Sequence, residues 1–191
     1  MMRLVLASIS PRRRELLESL RIPFLAVAPH FEEISDSRLS PSEEALSFAQ
    51  AKAESLRSDY PDAWIIGGDT LIALAGEKIG KPRDARDAER MLKKLSGKRH
   101  EIFTGLALLD AASGKLESSL SRVAIRMKEL SATQIAAYVA TGEALDKAGA
   151  YAIQGLGRDL IESVEGDFDA AVGLPLRELA KILEEWKNAG P

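Results

Sequence analysis

Two apolar runs, residues 102–109 and 120–127, flank Ala112-Ser113-Gly114, and this pairing limits the fold more than any other feature. Neighbouring antiparallel strands need only a short connection, whereas parallel strands need a crossover of a dozen residues or more, usually a helix. A long central hairpin therefore argues against a purely parallel sheet. Around it, strand-like and helix-like segments alternate. Residues 4–8 read as a buried strand, and Ser10-Pro11 opens a helix, because Ser caps well and Pro suits the first helical position. Residues 23–27 read as a second strand. Ser40-Pro41 starts another helix, whose stripe Ala45, Phe48, Ala49, Ala53, Leu56 keeps a 3.6-residue period. Trp64-Ile65-Ile66 reads as a short buried strand that stops at Gly67-Gly68-Asp69-Thr70, with a hairpin through Gly76-Glu77 after it. Asp84 and Ser131 cap two further helices, residues 160–164 form a strand, and residues 174–186 form a last helix. Intermixed elements of this kind predict an α/β fold with a mixed, twisted sheet flanked by helices.

At 191 residues the chain suits one domain or two closely packed lobes. It has no cysteine, which excludes disulfides and thiolate zinc sites and suits a reducing compartment. A formal charge of -3 argues against non-specific nucleic-acid binding, so an anionic ligand would need a local cationic pocket. No apolar run approaches the roughly 18 residues of a membrane span, and the run after Met1-Met2-Arg3 is too short for a signal-peptide core.

Three places break local rules, and such places are where function is expected. Arg12-Arg13-Arg14 sits in the opening turn of a helix, where the dipole already disfavours cations. An anion held there by backbone N–H groups and the arginine forks resolves the conflict; pairing with Glu15 and Glu18 is the plainer alternative. Lys52 continues an apolar stripe, so it either snorkels to the surface or faces a wet cleft. Gly67-Gly68-Asp69-Thr70 brings a carboxylate and a hydroxyl to the end of a strand, where α/β sheets bind ligands. Asp69 there can bind a metal or take a proton from water, or simply bond its own turn. Lys81, in Gly80-Lys81-Pro82, can offset phosphate charge, but Pro82 stands where a P-loop needs Ser or Thr. Glu32-Glu33 can share a hard cation with Asp69. His30 and His100 lie in no zinc-binding spacing.

These residues fall within longer motifs. In order they are Leu6-Ala7-Ser8-Ile9-Ser10-Pro11-Arg12-Arg13, Glu32-Glu33, Ala51-Lys52-Ala53, Gly68-Asp69-Thr70, Gly80-Lys81-Pro82, and Leu95-Ser96-Gly97 with His100. Thr104-Gly105, Gly142-Glu143 and Asp146-Lys147-Ala148-Gly149-Ala150-Tyr151-Ala152-Ile153-Gln154-Gly155 follow, and Val172-Gly173-Leu174-Pro175-Leu176 closes the series. From end to end the chain resembles the Maf family of nucleotide pyrophosphatases. The resemblance implies a single Maf-like domain over residues 1–191, with two lobes around a central cleft (Maf/Ham1-like), a homodimer and a cytoplasmic location. It also implies cleavage of a nucleoside triphosphate to the monophosphate and pyrophosphate, dependent on a divalent metal, Mg²⁺ or Mn²⁺. Asp69 is then the proton acceptor, Glu33 and Asp69 the metal ligands, and Arg12, Arg13, Lys52, Thr70, Lys81 and Gln154 the substrate-binding residues. Arg12, Thr70 and Gln154 match the positions associated with base selection in the branch acting on dTTP and UTP, with modified pyrimidine nucleotides as further candidates. The alternatives are a 7-methyl-GTP pyrophosphatase and a non-catalytic nucleotide-binding regulator of septum formation. Two positions depart from the family pattern: Ile9 replaces a small residue, and Gly166-Asp167-Phe168-Asp169 replaces a Gly-Ser-Tyr-Ser-like stretch.

Overall fold

The structure, a computed structural model, describes residues 3–189; Met1 and Met2, which precede the run judged too short for a signal peptide, lie outside them. Among the described residues, seven strands form one mixed sheet: β1 (Arg3–Ala7), β2 (Leu25–Val27), β3 (Ala63–Leu74), β4 (Glu77–Ile79), β5 (Arg99–Asp110), β6 (Leu116–Met127) and β7 (Ile161–Glu165). The strand order is β2-β1-β3-β5-β6-β7, with β4 folded back on the far end of β3. β1 runs parallel to β2 and β3, and all the remaining pairs are antiparallel.

Among the described residues, six α-helices flank the sheet: α1 (Pro11–Glu18), α2 (Pro41–Glu54), α3 (Ala85–Leu95), α4 (Ala132–Ala140), α5 (Phe168–Val172) and α6 (Leu176–Ala189). The expected caps form: Ser10, Ser40, Asp84 and Ser131 each accept from the backbone N–H three residues on, and Ser40 with Glu43 completes a capping box. Among the described residues, no helix is long and apolar enough to cross a membrane.

Period-2 alternation sorts the central strands onto two faces. Leu4, Leu6, Trp64, Ile66, Leu106 and Leu108 pack on one face against α1 and α6. Val5, Ala7, Ile65, Ala107 and Leu109 pack on the other against α2. Beyond these layers, the far halves of β3, β5 and β6 join α3, α4 and α5 in a second core that includes Ile72, Ile102, Val123 and Ile125. These two regions are the expected lobes.

One expectation is corrected. β3 does not stop at Gly67; it runs for twelve residues, straight through Gly67-Gly68-Asp69-Thr70. The glycines clear space instead of breaking the strand. A Cβ on Gly67 would lie 2.0 Å from the Ala49 carbonyl oxygen, and one on Gly105 would lie 2.3 Å from that of Ala45. The backbone of α2 therefore rests directly on the sheet where Asp69 pairs with Gly105. Gly67→Ala should force the two apart and cost about 3 kcal/mol, the upper range for overpacking. A circular-dichroism melt should then fall by about 6–12 °C at this chain length; an unchanged melt would mean that α2 yields freely.

Candidate active site

The close seating of α2 determines what Asp69 meets. Odd-numbered residues of this part of β3 face α2, so the Asp69 carboxylate points at the helix, and Lys52 lies on its facing side. Lys52 Nζ donates to Asp69 Oδ1 at 2.6 Å and reaches Glu33 Oε1 at 2.5 Å. The Lys52 side chain is only 5% exposed, which decides against snorkelling. Asp69 Oδ2 is buried and accepts no hydrogen bond among the described residues. Burial pushes the Asp69 carboxyl up; Lys52 and Arg13 oppose the rise, Glu33 adds to it, and the net position is above the ordinary carboxylate value. Burial also pushes Glu33 up, but there Lys52, Arg13 and Lys81 prevail and hold it low.

The loop carrying Glu33 is fastened by a second buried ion pair. Glu44, 1% exposed on α2, accepts from Lys78 Nζ at 2.8 Å, from the Asp36 N–H at 2.7 Å and from Ser35 Oγ at 2.9 Å. Lys78 also donates to the Asp36 carbonyl, tying the loop to β4.

Even-numbered residues of β3 face α1. A Cβ at Gly68 would lie 3.2 Å from Arg13 Nε, so the glycine leaves room for that side chain. The Arg13 guanidinium donates to the Gly173 carbonyl at 2.9 Å, to Thr70 Oγ1 at 3.2 Å and to Ser8 Oγ at 3.5 Å. Burial pulls its pKa below the ordinary arginine value, against the pull of Asp69 and Glu33. The protein's own carboxylates thus offset the arginine-loaded helix start, in addition to any ligand. Arg14 points away and pairs with Glu18, as the plainer alternative had it.

Arg12, Arg13, Glu33, Asp69, Thr70 and Lys81 line one cavity of about 180 Å³. Its inner wall is apolar, with Ile72, Ile102, Ile153 and Val172, while Lys147 and Asp146 stand at the charged end. A wider groove of about 550 Å³ continues past Arg12, Arg13 and Lys81 to Lys52, with Ile9, 76% exposed, at its lip. Lys81 makes no ion pair among the described residues. Gln154 is not brought into the cavity with Asp69. It is exposed and lines an adjoining hollow with Arg12, Val172 and Asp169.

Sequence reasoning gave no role to Lys147 and Asp146, which pair with each other at the cleft. Their segment is fixed by a long-range bond from the Gly149 N–H to the Gly80 carbonyl at 3.0 Å. His100 is buried with Nε2 2.7 Å from the Tyr151 hydroxyl, and burial lowers its pKa to about 4, so it is neutral. Among the described residues no three His, Asp or Glu side chains gather as a ready-made metal cage. The two carboxylates present still fit a hard cation. Mg²⁺ is typically held by one or two carboxylates plus substrate phosphates, and Glu33 and Asp69 line the same cavity.

A family model described as Maf-like protein matches residues 3–186. A protein of Dictyoglomus turgidum named dTTP/UTP pyrophosphatase is 45% identical over 184 residues, covering 96% of this chain and 95% of its own. Proteins of the same name from Methanosarcina barkeri, at 45% identity, and Moorella thermoacetica, at 44%, cover 97% and 96% of this chain and 94% of their own. With a family match across nearly its whole length and relatives this similar over the same span, the chain belongs to the Maf family.

Proposed function

We propose that this protein hydrolyses dTTP and UTP to the nucleoside monophosphate and pyrophosphate, with Asp69 as the proton acceptor. One observation carries the proposal: a buried carboxylate with an unpartnered oxygen faces a cleft lined by Arg12, Arg13 and Lys81. A nucleoside triphosphate carries about four negative charges, which must be offset before water can approach phosphorus. Arg12, Lys81 and Lys147 lie along the groove where those charges would sit, and Arg13 is held behind them by three anchoring bonds. Asp69, raised above its ordinary value by burial, orients the attacking water and takes its proton through Oδ2. Lys52 steers the carboxylate and limits that rise. The apolar wall beside Thr70 receives the base, and Gln154 contacts the nucleoside at the outer edge of the cleft.

Glu33 and Asp69 would hold Mg²⁺ or Mn²⁺ with the substrate's oxygens, and the ion would neutralise charge on the phosphates. Modified pyrimidine nucleotides fall within the same substrate class. We take residues 1–191 as one Maf domain that works in the cytoplasm as a homodimer.

The test is product release from a nucleotide panel with Mg²⁺. Pyrophosphate from dTTP and UTP is the expected result. Preference for 7-methyl-GTP would overturn the base assignment, release of orthophosphate would make the protein a phosphatase, and binding without turnover would make it a regulator.

A further inference from the structure

Glu44, Phe48 and Lys52 stand four residues apart on α2, so they form one stripe along the helix. All three are buried, and each meets the same short segment, residues 31–36. The Phe48 ring lies edge-on to Phe31, with centroids 5.3 Å apart. Lys52 Nζ reaches Glu33 Oε1 at 2.5 Å. Glu44 Oε1 accepts from the Asp36 N–H and from Ser35 Oγ, which also lies 3.1 Å from Oε2. Two fastenings therefore flank Glu33, one on each side of it in the chain.

Glu33 needs them. Its side chain is 55% exposed, and Lys52 is its one ion-pair partner among the described residues. A half-exposed ion pair contributes little and is screened by salt, whereas ordering a loop costs entropy at every residue. The pair with Lys52 alone cannot hold residues 31–36 on the helix. Glu44 can. Burial pushes its carboxyl up, but the bonds from Lys78, Asp36 and Ser35 prevail and keep it below its ordinary value, so it is a charged acceptor. Lys78, which supplies the countercharge, stands three residues before Lys81 and also donates to the Asp36 carbonyl. The same hub thus joins the segments that carry Lys52, Glu33 and Lys81. We propose that Glu44 is a positioning residue for the reaction: it seats residues 31–36 along α2 so that Glu33 stays at Lys52, beside Asp69. The inference rests on the proposed roles of Glu33 and Asp69 and adds the buried acid that holds one of them in place.

The experiment compares wild type, Glu44→Gln, and the double variant Glu44→Leu with Lys78→Met. The readouts are the melt, hydrogen exchange at the Asp36 amide in protein without metal or nucleotide, and the Mg²⁺ concentration giving half-maximal turnover of UTP. Glutamine keeps an oxygen for the Asp36 N–H and loses only the charge, so its melt should fall while the other two readouts stay within about twofold of wild type. The apolar pair fills the same space, and such replacements of a buried ion pair are often neutral or stabilising, so the double variant should melt like wild type or higher. It lacks the acceptor, so Asp36 should exchange roughly tenfold faster and the Mg²⁺ requirement should rise roughly tenfold. A merely structural Glu44 gives the reverse order, with the Mg²⁺ requirement following the melt. That result, or a double variant with wild-type exchange and Mg²⁺ requirement, overturns the inference. Should the double variant fail to fold, Ser35→Ala decides, because it removes one donor to Glu44 from an exposed position. A Mg²⁺ requirement raised about threefold then supports the inference, and an unchanged one overturns it. Absence of wild-type turnover of UTP and dTTP would sink the proposed function itself, and Asp36 exchange would then judge Glu44 alone.

Discussion

Asp69→Asn should lower kcat for pyrophosphate release by about 10²–10⁴ while leaving the fold intact, because it removes the proton acceptor with little change in side-chain size. The amide is close in size, and its oxygen can still accept from Lys52 where Asp69 Oδ1 does at 2.6 Å. What is lost is the negative charge and the acceptor character of the second oxygen, the one with no hydrogen bond among the described residues. KM should change far less than kcat. The wild-type pH profile gives an independent check. Asp69 lies above its ordinary value of 3.8 and Glu33 below its ordinary 4.5, so an acid limb on the high side of the normal carboxylate range belongs to Asp69. Activity should fall as pH drops through that limb, since a protonated carboxyl cannot accept from water. Near-full activity in a variant that melts like wild type would remove Asp69 from the chemistry.

What the chain reveals before folding divides along a physical line. Helix starts were legible because caps are local: Ser10, Ser40, Asp84 and Ser131 each bond within their own first turn. The inward direction of Lys52 was legible from its period, but its partners were not, because Asp69 and Glu33 come from separate segments. Gly67-Gly68 misled for the same reason. In a lone sequence a glycine pair marks the end of a strand, whereas here the missing side chains admit the α2 backbone on one face and Arg13 on the other. Helix α5 has only five residues, too few to show a period. Lys147 and Asp146 sit in irregular backbone held by a bond to Gly80, nearly seventy residues away in sequence, and no local signal announces that. The buried Glu44 was equally silent, since its need for Lys78 is met only across the fold.

The opposite change, removing the cation and keeping the acid, should be costly to stability. Lys52→Met preserves the length and apolar stem of the side chain but leaves Asp69 buried without its ammonium. Breaking a buried pair from one side typically costs about 3–5 kcal/mol, because the remaining charge keeps its desolvation penalty. The half-exposed Glu33 can turn to water, so the lower end, about 3 kcal/mol, is expected near neutral pH. The loss should depend on pH with a definite sign. Without Lys52, the Asp69 carboxyl rises further above its unfolded value, because the leading opponent of burial is gone. The folded chain then keeps a proton where the unfolded chain has released one, so stability falls as pH rises through the folded pKa. Below the unfolded value of about 3.8 both states are protonated and the burial cost disappears. The gap between variant and wild type should therefore be widest above neutrality and close toward pH 4, as read from urea midpoints across that range. A snorkelling lysine gives a different signature: an exposed ion pair worth less than about 1 kcal/mol, weakened by salt. A gap that is small, constant with pH and erased by salt would show that Lys52 does not neutralise a buried acid, and the electrostatic case for Asp69 as the base would fail with it.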